Sequence, residues 1–415
     1  MTTQTTQKLP SLIGGAMIIA GTVIGAGMLA NPTSTAGVWF FGSILLFVYT
    51  WFCMTTSGLM ILEANLHYPT GANLDTIVKD LLGKGWNAVN GLSVAFVLYI
   101  LTYAYITSGG SITESFIDQA GFDVDRSTGS LLFCVILAAC VWISTKAVDR
   151  FSTVLIIGMI IAFFLSTGGL LGSVKSEILF NQVAQGEQQY LPYLLGALPV
   201  ALVSFGFHGN VSSLVKYYQR DGQRVMKAIF LGTGLALVIY ILWQLAIQGN
   251  LARADFAGVI EKGGDVSALL GALSSRIQAD YVGVMLNFFA YLAIASSFLG
   301  VTLGLFDYIA DLLKFDDSPL GRLKTTLVTF LPPLLLSLQF PYGFVVAIGY
   351  AGLAATIWAA IVPALLARAS RQKFPNATYR VYGGNFMIYF IILFGLLNIV
   401  AQLASEFGWL PVFKG

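Results

Sequence analysis

Apolar residues run along this chain in blocks long enough to cross a lipid bilayer, and only short polar stretches separate them. A helix needs about 20 predominantly apolar residues to span the hydrocarbon core. Blocks of that kind cover residues 11–37, 39–65, 86–112, 129–147, 150–172, 190–217, 226–248, 281–312, 325–341, 343–367 and 384–408. The pattern therefore predicts about eleven transmembrane helices and one membrane domain. The ninth and tenth blocks are divided only by the turn-forming Phe340-Pro341-Tyr342-Gly343. The longest connection lies near 249–280, where Asp265-Val266-Ser267-Ala268-Leu269-Leu270 predicts a short surface helix.

Composition agrees. Hydrophobic residues make up 57% of the 415 and charged residues 10%, against about 25% charged in a soluble domain. A soluble protein this apolar would expose large aggregating patches, whereas lipid as solvent removes the problem. The 44 glycines suit helices packed closely in a membrane. Cys53, Cys134 and Cys140 all fall in apolar stretches without metal-ligand spacing, so they read as packing residues, and no metal is expected. A net charge of +2 with no basic run excludes a nucleic-acid partner. No cleavable signal pattern follows Lys8.

Charge also orients the chain. With eleven spans and a cytoplasmic N-terminus, sixteen of the 22 Lys and Arg fall in inside loops, among them Lys8, Lys79, Lys146, Arg220, Lys314 and Arg371. Cationic inside loops are the rule for multi-pass proteins. The C-terminal tail is then outside.

Two blocks contain helix-breaking sequence at mid-depth. The first holds Gly21, Gly25 and Gly27, and the sixth holds Gly206, His208, Gly209 and Asn210 after Pro199. Glycine costs a helix about 1 kcal/mol relative to alanine. Unwound backbone at membrane depth is tolerated where it lines a cavity, and breaks at matching positions of two halves mark the substrate site of inverted-repeat transporters. The expected architecture is all-α, with a 5+5 inverted repeat (about 11–172 and 190–367), broken helices 1 and 6, and an added helix at 384–408. The helix start near Gly27 offers N–H groups and a positive dipole end to a carboxylate. Carbonyl ends near Gly21 and Phe205 suit an ammonium. A zwitterionic amino acid matches both without any charged side chain. The competing reading is that these glycines only permit close helix packing, as in small-xxx-small pairs.

The first break reads Ile24-Gly25-Ala26-Gly27-Met28-Leu29-Ala30-Asn31-Pro32, followed by Ala36-Gly37 and Phe40. It resembles the signature of the aromatic amino acid permease family of the amino acid–polyamine–organocation superfamily at every fixed position. Leu62–Leu66, Ala95–Tyr105, Ser204–Asn210 and Gly304–Tyr308 also look like family segments. The resemblance implies a multi-pass protein of a bacterial inner membrane that imports an aromatic amino acid, tryptophan above all, with a proton. It implies substrate contacts at Thr22, Val23, Gly25, Ala26 and Gly27. One feature departs from the wider superfamily. Proton-coupled relatives often carry a lysine in span 5, and Phe151–Ala162 has none, so sodium coupling stays open as an alternative.

Further candidates follow from residue type and place. Phe205, Phe207 and His208 lie at the second break, where an indole would stack on either phenylalanine. Tyr99 and Tyr103 share a helix face. Ser296 and Ser297 lie on span 8, and Tyr350 and Trp358 on span 10 are candidate gates. Intramembrane ionisable groups are functional candidates, which singles out His208, Glu63 and Asp307 for proton coupling. Asp311 and His67 sit nearer the membrane surface. No nucleotide loop, HExxH motif or nucleophile–base arrangement occurs, so the chain reads neither as a pump nor as an enzyme, and needs no cofactor. An exchanger or facilitator on the same scaffold, or a tyrosine- or phenylalanine-preferring carrier, is the alternative.

Overall fold

The computed structural model describes residues 10–184, 188–276 and 280–415. Lys8 and the side chain of Lys146, both counted above as inside cations, lie outside the described residues. The elements are α1 (Leu12–Val23), α2 (Gly27–Ser34), α3 (Trp39–Asn65), α4 (Leu74–Gln119), α5 (Arg126–Ile143), α6 (Thr145–Gly172), α7 (Ser176–Leu179), α8 (Leu194–Ser204) and α9 (Val211–Tyr217). The chain continues with α10 (Gly222–Gln248), α11 (Phe256–Glu261), α12 (Val266–Ser274), α13 (Asp280–Leu313), α14 (Pro319–Gln339), α15 (Phe344–Thr356), α16 (Val362–Lys373) and α17 (Gly384–Glu406). No strand occurs among the described residues.

Nine described segments are long and apolar enough to cross a membrane, and a tenth forms when α1 and α2, bent by 54°, count as one span. The expected ninth span corresponds to α14, with 21 residues. It begins six residues before the expected position and takes in Arg322 and Lys324, which dilute its apolar character. The expected count of eleven thus stands at ten clear spans plus this helix.

Three boundaries differ from the sequence pattern. The third span was read as 86–112, but α4 is helical from Leu74 and is kinked at Gly83, whose φ of 87° suits glycine. The fourth and fifth spans divide at Ser144, not after residue 147, because the Ser144 side chain caps α6 by accepting from the Ala147 N–H. The tenth span, read as one rod, carries a π turn at Ile357–Ile361 between α15 and α16.

Burial follows the membrane pattern. Val154, Ile157, Ile161 and Phe164 of α6 and Val135, Ile136 and Ile143 of α5 are exposed, while Thr55, Thr56, Ser57, Thr107, Ser108 and Gln244 are buried. Polar groups turn inward because lipid offers them no partners. Small residues let helices approach: a Cβ on Gly352 of α15 would lie 2.3–2.9 Å from the Pro199 backbone and ring of α8.

The two ends of the bundle are held differently. At one end Glu63 accepts from Arg371 Nε at 2.6 Å and Nη2 at 2.9 Å, Lys373 pairs with Asp80, and Arg220 reaches the Leu66 carbonyl. These are the loops the sequence counted as inside. At the other end α11 and α12 fold back onto the bundle. The expected surface helix near Asp265 exists, but it buries Val266, Leu269, Leu270 and Leu273. Asp265 is pinned by Arg126 at 2.8 Å and by Ser111 at 2.8 Å. Buried Arg253 donates to the Ala36 and Gly37 carbonyls just past α2 and stacks on Phe413, its guanidinium 4.3 Å from the ring centre.

Candidate substrate and coupling site

The first span stops being helical where its glycines cluster. Ile24 N–H still donates to the Ala20 carbonyl at 2.7 Å, the chain turns through Gly25 and Ala26, and α2 begins at Gly27. Ser297 of α13 fills the gap and accepts from the Ala26 N–H at 3.0 Å. A Cβ on Gly25 would lie 2.5 Å from Ser297 Oγ, so only glycine allows this approach. In the sixth span α8 ends at Ser204, Phe205–Phe207 are irregular, and His208–Asn210 form a 3₁₀ turn leading into α9.

The two breaks brace each other. The Tyr240 hydroxyl of α10 lies 2.7 Å from the Val23 carbonyl and 2.5 Å from the Ser204 carbonyl, so its single O–H is shared between the ends of both half-helices. Ser204 Oγ donates to Asn31 Oδ1 at 2.9 Å, and Asn210 Nδ2 donates to Thr22 Oγ1. The carbonyls that Tyr240 engages are those of Val23 and Ser204, two residues after Gly21 and one before Phe205. Sequence reasoning missed Tyr240. Its only local signal is a polar stripe at helical spacing, Tyr240–Gln244–Gln248, on an otherwise apolar helix.

Phe205 and Phe207 are both buried. Phe205 stacks edge-on against Tyr240, with ring centres 5.0 Å apart, and Phe207 packs where Gly58 of α3 leaves room. His208, 1% exposed, packs beside Phe207, with ring centres 4.7 Å apart. Its Nε2 lies 2.7 Å from Ser57 Oγ, and Ser57 in turn donates to the Ala359 carbonyl in the π turn. Trp358 of that turn meets the His208 ring edge-on, 5.9 Å between centres. Ser57 and Ala359 were not foreseen, because their link to His208 joins residues 151 and 302 positions from Ser57.

Access is one-sided. Gly21 and Thr22 are exposed just before the first break, whereas Ala26 and Met28–Thr33 beyond it are buried, with Gly27 half-buried between them. On α13, Gly300, Gly304 and Asp307 follow Ser297 at +3, +7 and +10, on the same face, and all three are exposed. The break thus opens toward the end of the bundle that carries the loops the sequence counts as inside. On the opposite side a cavity of about 300 Å³ lies between α2, α8, α15 and α17, lined by Thr33, Gly37, Val200, Gly349 and Glu406.

The remaining candidates lie elsewhere. Tyr99 donates to the Val328 carbonyl of α14 at 3.0 Å, and Tyr103 to the Phe340 carbonyl at 2.7 Å. Both tie span 3 to span 9. Ser296 donates to its own helix at Ala293. Tyr350 donates to Glu406 at 2.7 Å, beside the cavity between α2, α8, α15 and α17. Glu63 is engaged by Arg371 and by the Val381 N–H, and Asp311 pairs with Lys314 at the surface. His67 stacks on Phe374, ring centres 4.4 Å apart. Burial there, joined by the Arg220 charge, holds its pKa below the ordinary 6.5, with Glu63 pulling the other way.

A helical bundle with two interrupted spans, five spans apart and braced against each other, is the fold of a multi-pass membrane transporter. The backbone superposes on a mutant manganese transporter from Eremococcus coleocola with a TM-score of 0.66, covering 99% of this chain and 92% of that one at 13% identity. At that identity the fold alone is shared. The chain belongs to the tryptophan/tyrosine permease family, whose pattern matches residues 8–402. It is 78% identical to a tryptophan-specific transport protein of Haemophilus influenzae over 99% of both chains. It is 53% identical to the tryptophan-specific transport protein of Shigella flexneri over the whole of both.

Proposed function

We propose that this protein imports L-tryptophan across a bacterial inner membrane by proton symport, through alternating access. The observation that supports transport is the pair of interrupted helices, braced by Tyr240 and Ser297 and open to one side. The names of the two close relatives supply tryptophan as the substrate. In this reading the substrate carboxylate faces the N–H groups at the start of α2, favoured by the dipole end. Thr22, Val23, Gly25, Ala26, Gly27 and Ser297 form the backbone subsite, and Phe205 and Phe207 supply aromatic walls once the bundle moves. Tyr99, Tyr103, Ser296 and Tyr350 act at a distance, by holding spans 3, 8 and 10. Trp358 stands as a gate on span 10. His208 is the proton carrier, with Asp307 in the open vestibule as the second candidate. Glu63 serves as an ion-pair anchor. The N-terminus is cytoplasmic and the C-terminus outside, which makes the open side of the break the inside one.

Moving one charge through 100 mV is worth about 2.3 kcal/mol. At about 1.36 kcal/mol per tenfold, that sustains roughly fifty-fold accumulation. Uptake of labelled tryptophan into proteoliposomes tests the proposal, with tyrosine, phenylalanine and indole as competitors and with a protonophore. Tryptophan is expected to compete best, and the protonophore to abolish accumulation. Stronger competition by tyrosine would overturn the substrate, and accumulation that survives the protonophore would overturn the coupling.

A further inference from the structure

We infer that His208, Ser57, Ala359 and Trp358 form a proton-operated latch joining spans 2, 6 and 10, and that its open end takes a proton-donating water. The inference rests on the proton-coupled reading above and adds the device by which the proton acts.

The hydrogens can be counted. Ser57 has one O–H and touches two atoms, the Ala359 carbonyl and His208 Nε2. A carbonyl only accepts, so the hydroxyl hydrogen goes to Ala359 and Ser57 Oγ must accept from Nε2–H. The neutral imidazole therefore carries its hydrogen on Nε2 and its lone pair on Nδ1. The Ala359 carbonyl is free for Ser57 for a reason written in the sequence. Its helical partner four residues on is Pro363, which has no N–H. The π turn at Ile357–Ile361 is built around that gap.

Two buried groups then remain. Among the described residues neither His208 Nδ1 nor Trp358 Nε1 has a hydrogen-bond partner, and the two rings meet edge-on. One is an acceptor and the other a donor. A single hydroxylic molecule satisfies both, donating to Nδ1 and accepting from Nε1–H, and water is the smallest. The groups facing the ring are Ser57 and the Met54 backbone from α3, Trp358 from the π turn and the neighbouring Phe207. No charged side chain is among them. The nearest ion pair on α3, Glu63 with Arg371, stands six residues further on, roughly 9 Å along the helix.

The step balances simply. A hydronium at this position gives up one O–H, Nδ1 gains one N–H, the charge moves to the imidazolium, and neutral water remains. Nε2–H then becomes a charge-assisted donor to Ser57, and the Ser57–Ala359 bond strengthens with it. Protonation tightens the hold of span 2 on the π turn of span 10, and deprotonation loosens it. Ser57 is a positioning residue here, acting through His208.

The chain has two histidines, so a His67→Gln protein labelled with ¹⁵N-histidine reports His208 alone. At neutral pH the nitrogen spectrum is expected to show hydrogen on Nε2, and Ser57→Ala to admit the Nδ1–H form. A wild-type Nδ1–H signal overturns the latch. In proteoliposomes, Ser57→Ala is expected to flatten the pH profile and lower gradient-driven uptake by about tenfold, the loss of one buried hydrogen bond. Tryptophan counterflow is expected to change little, and Ser57→Thr to restore uptake. An unchanged pH profile, or equal loss of uptake and counterflow in both variants, overturns it too. If the wild type ignores a protonophore, the coupling reading fails, and the tautomer measurement still judges the hydrogen arrangement separately.

Discussion

Tyr240 does at one atom what glycine cannot do for a broken helix. Glycines at 21, 25 and 27 make the interruption possible, but they leave carbonyl ends that lipid cannot satisfy. The Tyr240 hydroxyl reaches both the Val23 and Ser204 carbonyls. Tyr240→Phe keeps the ring against Phe205 and Phe47 and removes only that donor. Losing that one shared O–H leaves a buried carbonyl unsatisfied, at a cost of about 1–3 kcal/mol. The expected outcome is a lower Tm and a fall in tryptophan uptake of about tenfold or more, read by thermal unfolding and vesicle transport. Uptake at the normal rate would show that the breaks hold without the bridge. His67 gives a residue-scale pH effect of known sign. Its folded pKa lies below the ordinary 6.5 because burial disfavours the charged form. The folded state therefore binds fewer protons there than the unfolded one, and stability is lost as pH falls below about 6.5 toward the folded pKa. His67→Gln is expected to flatten the slope of Tm against pH in that window, and an equal slope in both proteins would assign it to other groups.

At the scale of elements, the connection between α10 and α13 works as a cover held by buried charge. Asp265 at the start of α12 and Arg126 at the start of α5 pair with side chains 3% and 12% exposed, so neither is well solvated when the other is removed. Breaking such a pair costs about 3–5 kcal/mol, while replacing both partners by apolar residues is often neutral. Arg126→Met and Asp265→Leu are each expected to lower Tm strongly, and the double variant to recover much of the loss. Additive losses would show that the pair contributes no coupling. How much of this was legible in the sequence depended on the range of the interaction. The broken spans were legible because Gly25, Gly27 and Gly206 act locally on helix propensity. The turn at Phe340–Gly343 and the helix after Asp265 were legible for the same reason. The burial of α12 and the bridges of Tyr240 and Ser57 were not, because their partners lie tens to hundreds of residues away. Tyr99 and Tyr103 do share a helix face, as their spacing implied, but spacing does not say which neighbour that face meets, and it meets α14 and the turn after it. The π turn stands between these cases. Pro363 announced a lost hydrogen bond, but a kink, a bulge and a side-chain acceptor are all ways to absorb it.

Taken as a whole, the molecule is asymmetric across the membrane, and the asymmetry is testable. Gly21, Thr22, Gly300, Gly304 and Asp307 are exposed on one side of the first break, while the other side is closed over Ala26 and sealed by the Arg253 and Asp265 networks. The proposed alternating access requires that one opening be exchanged for the other, since a site open to both faces would dissipate a gradient. Cysteine accessibility reads the opening directly. Cys53 and Cys134 are buried, so replacing half-buried Cys140 by serine leaves little background. Nothing lies within 4 Å of a Cβ at Gly304 or at Gly196, which lines the cavity beside α2, α8 and α15. Gly304→Cys is expected to react with a membrane-impermeant maleimide only from the face of the basic loops, and Gly196→Cys only from the opposite face. Tryptophan with an imposed proton gradient is expected to slow the first reaction and speed the second, as the population moves between two openings. If both positions label from the same face, the orientation is wrong. If both labelling rates rise or fall together with substrate, the two openings are not alternatives, and the bundle does not work by alternating access.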